Sequence, residues 1–484
     1  MVGRSQILRG FGFSMMSRLA IFGLKFVTVP LLARLLSPAE LGEAAAAMTV
    51  VLLLVQVGGA GLNAALIIQK EEDPRTLDSV FWSNLAVAAV CALMLLFFAD
   101  NLAVLLGAPG AGPLLRALSL LFPISLAAQV GLALLARRMQ FSRDMLCNLC
   151  AELAGAGVAI SLAFLGFGVW AIIAQQFASA TLLLVAVFFA SGYRPRLQFS
   201  WPRLAALMRF GIGNLGADIA NFATFQGPLV VVSRALGVAE AGAYSMASRL
   251  SDIPNQVILV ALTNVLFPAF SSVSDEPARH RSLLLNSVQT TTMVLAPLMF
   301  GLWALAEPVT TIILGGRWIA TAPVFGMLAV SKGVMSPCGS FIPFMKGMGR
   351  GGTLWWFAVF RAALTLLATS LGARYWGLYA ATELLVVVNF AIMMIYAVTV
   401  FRSGGVDLVA GLRCAGIPML TAAAAALAMR AFLVGAAPWL GSGIAMLVAA
   451  IAVGILAYAC LCLIFQHSFC MQHIRSLPAL VRRR

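Results

Sequence analysis

Residues 34–47 read RLLSPAELGEAAAA, and residues 234–247 read RALGVAEAGAYSMA. At an offset of 200, Arg34 falls on Arg234, Leu36 on Leu236, Ala39 on Ala239, Glu40 on Glu240, Gly42 on Gly242 and Ala47 on Ala247. Gln56 falls on Gln256 in the same register. Further along the offset becomes 209, so that Met139 meets Met348, Gly168 meets Gly377 and Ala171 meets Ala380, with Arg137 opposite Lys346. One such match would mean little. A series in the same order along the chain implies that one unit occurs twice, and the segments around it say what kind of unit it is.

Those segments are apolar. Hydrophobic residues make up 62% of the 484 positions and charged residues 10%, against roughly 25% charged in an ordinary soluble domain. Apolar runs near 20 residues recur throughout, as at 51–66, 85–99 and 445–465. That is the length a helix needs to cross ~30 Å of hydrocarbon. Alternating ten-residue strands, the mark of a membrane β-barrel, are absent. The fold class read from the sequence is therefore an all-α polytopic membrane protein with about fourteen transmembrane helices. The expected spans are 11–35, 44–68, 81–99, 113–135, 149–166, 168–190, 209–235, 243–268, 286–306, 321–346, 353–372, 377–400, 412–433 and 440–465. Six helices fill each repeat, an even number, so both copies enter the membrane in the same direction. Two parallel six-helix lobes result, related by an axis along the membrane normal, as in many secondary transporters. The expected division is a first lobe at 1–200, a second at 201–405, helices 13 and 14 at 406–466 and a basic cytoplasmic tail at 467–484.

Net charge is +15. On a soluble chain this could point to nucleic acid, but here the charge lies in loops and fixes orientation. With the N-terminus in the cytoplasm, nineteen Arg and Lys fall in cytoplasmic segments, and Arg116, Arg317 and Arg374 on the other side. This asymmetry implies that both termini are cytoplasmic. Arg4 and Arg9 ahead of an apolar run resemble the start of a signal peptide, but Arg18 and Lys25 interrupt that run, so the first helix reads as retained. Cys147-x-x-Cys150 and His467-x-x-Cys470-x-x-His473 lack the further ligands of a zinc site, and no metal or cofactor is implied. Trp82, Trp201, Trp318, Trp376 and Trp439 lie where an interfacial aromatic belt would put them.

Ionisable groups at membrane depth cost ~2.5–3.5 kcal/mol each on insertion scales, and so face protein or water. Ser14, Arg18 and Lys25 share one face of the first helix. Asn214, Asp218 and Asn221 share one face of the seventh, its equivalent in the second repeat. Arg249, Asp252 and Gln256 share a face of the eighth. Lys332, Arg361 and Glu383 fall in helices ten to twelve, and Glu152 in helix five. Pairs such as Arg249 with Asp252, or Arg18 with Asp218, would lock helices together. As a set, cations outnumber acids, which suits a hydrated cavity for a phosphate-bearing substrate. Candidate substrate-binding residues are thus Arg18, Lys25, Asn214, Asn221, Arg249, Gln256, Lys332 and Arg361. Asp218, Asp252 and Glu383 are candidates for ion coupling.

The stretches FVTVPLLARLLSPAELGEAA (26–45), ARRMQF (136–141) and GFGVWAIIAQQ (166–176) carry a family resemblance. The chain resembles the polysaccharide transporters, the Wzx-type lipid-linked oligosaccharide flippases of the multidrug/oligosaccharidyl-lipid/polysaccharide exporter superfamily. The resemblance implies two six-helix lobes around a central cavity in a bacterial inner membrane. It also implies movement of undecaprenyl-pyrophosphate-linked repeat units for exopolysaccharide, capsule or O-antigen assembly. The partners it implies are the lipid-linked oligosaccharide, the bilayer, and a polysaccharide polymerase with chain-length proteins; nucleic acid is not among them. A peptidoglycan lipid-precursor flippase and a cation-coupled drug antiporter of the same superfamily remain as alternatives. A membrane enzyme is disfavoured. None of the three histidines, His280, His467 and His473, falls inside the bundle, and no large outer loop is available for sugar chemistry. No phosphate-binding loop for ATP occurs.

Overall fold

The computed structural model describes residues 4–59, 62, 66, 73–272, 276–440 and 443–466. Within these the side chains of 4–18, 209–214, 264, 267–268, 271–272, 277 and 437–440 are not described. The basic tail at 467–484, with the His467 to His473 motif, lies outside the described residues.

Every described element is helical. The helices are α1 (Arg4–Leu35), α2 (Pro38–Gly59), α3 (Pro74–Leu105), α4 (Gly112–Leu118), α5 (Leu121–Arg137), α6 (Phe141–Phe164), α7 (Trp170–Ser191) and α8 (Trp201–Leu236), then α9 (Val238–Ser272), α10 (Pro277–Ala304), α11 (Ala306–Ile313), α12 (Ala322–Val334), α13 (Cys338–Gly347), α14 (Gly351–Ser403), α15 (Leu408–Leu440) and α16 (Ile444–Phe465). Among the described residues nine helices are long and apolar enough to cross a membrane, or eleven if each of two bent pairs is one span. The protein is a multi-pass membrane protein.

The departures from simple spans have local causes. Pro109–Leu118 and Leu121–Arg137 meet at 48°, and Gly316–Val334 and Cys338–Gly347 at 42°. The fourth helix expected of each repeat is therefore broken. In the second copy Pro337 stands at the break, where its ring and missing N–H interrupt the ladder. The 53-residue α14 turns at Gly377, with φ 88° and ψ −173°, a conformation that disfavours any residue with a Cβ. Gly168, the residue aligned with Gly377, also has positive φ, at 55°. The short connection expected between helices five and six is present, with Gly166 at φ 81° between α6 and α7.

The repeat boundary shows why the sequence folds this way. Ser37 and Glu40 form a capping box at the start of α2. The Ser37 amide and hydroxyl each donate to Glu40 Oε2 at 2.8 Å, and the Glu40 amide donates to Ser37 Oγ at 3.3 Å, satisfying donors the first turn would leave open. In the second copy Gly237 replaces the serine, its φ of 97° making the same turn from α8 into α9.

The chain divides into two compact units: 1–245 with 358–375, and 246–357 with 376–484. In the first, α2 and the start of α9 cross at Gly42 and Gly242. A Cβ on Gly42 would overlap the Val238 carbonyl, and one on Gly242 the Pro38 carbonyl. The contact is reciprocal, so residues equivalent in sequence touch each other across a local two-fold axis. The core of this unit gathers Val51, Leu95, Leu115, Phe122, Leu126 and their neighbours. The core of the second unit gathers Phe300, Val334, Ala426, Met429 and Ala450, so α15 and α16 belong to its packing.

Trp318 corrects the belt expected from the sequence. It is 1% exposed, inside the second unit, and faces protein rather than the interface. Trp201 and Trp376 are exposed, and the Trp439 side chain lies outside the described residues.

Candidate substrate-binding site

Lys332 is the best-defined of the sequence candidates. Near the end of α12 its ammonium donates to Asp252 Oδ1 at 2.8 Å, to Ser251 Oγ at 2.5 Å and to the Ser248 carbonyl at 3.3 Å. An ammonium has three protons, and all three are used. The carboxylate is held on its other side, where Ser248 Oγ donates to Asp252 Oδ2 at 2.9 Å. Ser248, Ser251 and Asp252 are spaced i, i+3, i+4 on α9 and so share a face. The pairing corrects the simplest one read from sequence: Asp252 engages Lys332 on another helix, not Arg249 on its own. The pair is part-buried, with side chains 19% and 29% exposed.

One residue away Ser331 accepts from Asn389 Nδ2 at 2.7 Å. Both are buried, and Asn389 Oδ1 has no hydrogen-bond partner among the described residues. An acceptor left open in a low-dielectric interior is costly. Three helices, α9, α12 and the second half of α14, therefore bring a charge pair and an unfilled acceptor into one neighbourhood. The arrangement can exchange partners: an anion could take the ammonium from Asp252, and protonating Asp252 would release it.

In the first unit Lys25 of α1 pairs with Glu152 of α6 at 3.4 Å, both partly exposed. Arg361, in the first half of α14, stacks 5.6 Å above the Phe225 ring of α8. Ala220, Ala358 and Ala362 are the small residues that let these helices approach. On α8 Asp218 is half-buried and Asn221 exposed. Arg249 and Gln256 of α9 are exposed, as is Glu383, which lies within reach of the Tyr379 hydroxyl. The side chains of Arg18 and Asn214 lie outside the described residues.

Sequence reading missed Ser248, Ser251, Ser331 and Asn389. The first two carried a signal, a turn spacing against Asp252. Asn389 carried none, since it stands in an unbroken apolar run.

With this geometry in view, comparison with known proteins places the chain. A family described as "Polysaccharide biosynthesis protein" matches residues 31–323. The chain belongs to this polysaccharide biosynthesis protein family. It is 45% identical over 467 residues, 96% of its own length and 94% of the relative's, to the succinoglycan biosynthesis transport protein ExoT of Rhizobium meliloti (strain 1021). It is 25% identical over 77% of its length, and 76% of the relative's, to the lipopolysaccharide biosynthesis protein WzxC of Escherichia coli (strain K12). Among solved structures the lipid II flippase MurJ in an inward closed conformation superposes with a TM-score of 0.77 at 16% identity, covering 95% of this chain and 99% of that one. An outward-facing multidrug resistance transporter of the MATE family gives 0.55 at 17% identity, covering 81% and 94%. These two likenesses establish the fold: this chain shares its helical architecture with the lipid II flippase and the MATE transporter.

Proposed function

We propose that the protein is a flippase that moves undecaprenyl-pyrophosphate-linked oligosaccharide repeat units across a bacterial inner membrane for exopolysaccharide, capsule or O-antigen assembly. The observation that carries this reading is the near full-length similarity, at 45% identity, to a transport protein of succinoglycan biosynthesis. In this reading the chain performs no bond chemistry. Fourteen helices cross the membrane, counting α14 as two spans at Gly377, each bent pair as one, and α1 and α9 as spans too. Both termini are cytoplasmic. The two repeats, at 1–200 and 201–405, act as lobes that alternate access, with helices 13 and 14 at 406–466 attached to the second. The candidate partners of the pyrophosphate are the cations Arg18, Lys25, Arg249, Lys332 and Arg361, with Asn214, Asn221 and Gln256 as candidates for neutral hydrogen bonds. Asp252 competes with the phosphate for Lys332, so substrate binding favours the state in which the pair has opened. Asp218 and Glu383 are the further coupling candidates. A polysaccharide polymerase and chain-length proteins would act on the delivered unit.

The test is made in cells lacking the gene. Lipid-linked oligosaccharide is expected to accumulate in the cytoplasmic leaflet while surface polysaccharide disappears, and the wild-type gene restores both. Unchanged polysaccharide and precursors, together with new sensitivity to cationic drugs, would replace this reading with that of an antiporter.

A further inference from the structure

The second unit holds a cavity of about 800 Å³ that the transport reading does not use. It is framed by the end of α10, α11, the start of α12, the second half of α14 and the facing ends of α15 and α16. Two of its lining groups are charged. Arg430 of α15 lies 4.8 Å over the Trp303 ring, and Glu307 stands on α11. No ion pair joins them within 4.0 Å among the described residues. Tyr379, whose hydroxyl reaches Glu383 behind the wall, adds a polar group, and Leu433 and Met446 are part of an otherwise mainly apolar wall.

The depth of Arg430 is set by its helix. Asp407 caps α15 by accepting from the Ala410 amide at 3.0 Å. Arg430 follows Leu408 by 22 residues, which at ~1.5 Å per residue is about 33 Å, one membrane thickness. Measured from the helix start, Arg430 therefore lies near the far end of this span, on the side opposite Asp407.

We propose that this cavity is a binding site for a phosphodiester lipid whose head carries hydroxyl groups, separate from the transported substrate's path. A guanidinium stacked on an aromatic face keeps its in-plane N–H edge for a phosphate. An ionised carboxylate only accepts hydrogen bonds, so Glu307 selects a hydroxyl-bearing head and disfavours a bare anion. The apolar wall takes the chain. This chemistry has two sources, a glycerophospholipid of the leaflet or a glycosylated isoprenoid phosphate. The proposal rests on the cavity alone and stands whether or not the chain exports oligosaccharide.

The test is a native mass-spectrometric titration of the purified full-length protein with four probes: phosphatidylglycerol, phosphatidylcholine, a polyprenyl phosphate bearing one sugar, and inorganic phosphate. At least one hydroxyl-headed lipid is expected to bind ten-fold or more tightly than phosphatidylcholine, and inorganic phosphate not to displace it. The tighter of the two identifies the source. Arg430→Gln is expected to weaken that lipid at least ten-fold and Thr311→Trp, which fills the cavity from α11, to abolish binding. Arg430→Lys, which keeps the charge without the planar stack, gives an intermediate loss and serves if the glutamine variant does not fold. Equal affinity for phosphatidylglycerol, the glycosylated lipid and phosphatidylcholine would overturn the proposal on the wild-type protein alone, as would undiminished binding by a folded Arg430→Gln.

Discussion

The crossing of Gly42 and Gly242 gives a sharp prediction because the two residues share one contact. A Cβ built on Gly42 would lie 2.7 Å from the Val238 carbonyl carbon and 3.0 Å from the Gly242 nitrogen. One on Gly242 would lie 2.9 Å from the Pro38 carbonyl carbon and 3.1 Å from the Gly42 nitrogen. Carbon atoms pack at ~3.5–4.0 Å, so either methyl forces the helix starts apart by roughly 1 Å. Both neighbours are backbone, which cannot rotate away as a side chain can. Overpacking of this kind costs ~1–3 kcal/mol, and Gly42→Ala and Gly242→Ala should each fall near the upper end. The separation that admits the first methyl also makes room for the second, since the contact is two-fold. The double variant should therefore cost about what one single variant costs, with a coupling of ~3 kcal/mol rather than additivity. The assay is the unfolding midpoint of the purified protein in detergent for the wild type, both singles and the double. A wild-type midpoint in Gly42→Ala, or fully additive losses, would refute the reasoning.

Replacing Lys332 by Met or Asp252 by Leu leaves the other charge with too few partners and should destabilise the protein by about 2 kcal/mol, somewhat below a fully buried pair because both side chains are partly exposed. The combined Lys332→Met/Asp252→Leu variant should recover much of that loss in the same unfolding assay while failing to restore polysaccharide export in cells; restored export would mean the pair is only structural. At the start of α3, Asp73 is held below the usual carboxylate range by hydrogen bonds from Thr76 and then by the Arg203 guanidinium. Its stabilisation is present above about pH 4 and is lost as pH falls through the folded value, so the difference in midpoint between wild type and Asp73→Asn should shrink from pH 6 to pH 3, and a constant difference would contradict the assignment. His280 is stacked on Phe344 with ring centroids 4.8 Å apart, meets Phe270 edge-on, and has a buried Nε2 with no partner among the described residues. His280→Phe should leave the midpoint unchanged or higher, because it removes an unsatisfied polar atom at similar volume, and a loss above ~1 kcal/mol would argue for a hidden polar contact.

Membership of the helical membrane class, the internal duplication and the equivalence of Gly42 with Gly242 were legible along the chain. Hydropathy and helix length are local properties, and a repeat keeps its register in the sequence. The expected turn at Gly166 to Gly168 was legible for the same reason, since short glycine connections need no distant partner. The aromatic belt was only partly legible: Trp318 has the right position in the sequence but its neighbours in space bury it. The partners of the charges were not legible at all. Lys332 and Ser251 are 81 residues apart, and which acid answers a cation depends on how α9, α12 and α14 pack. The cavity around Arg430 likewise draws on five stretches of chain that sequence alone leaves unrelated. The sequence by itself determined that these residues lie in a membrane, because that cost is paid residue by residue. Only the tertiary structure decided which of them meet, because ion pairs, orphaned acceptors and cavities are properties of several helices at once.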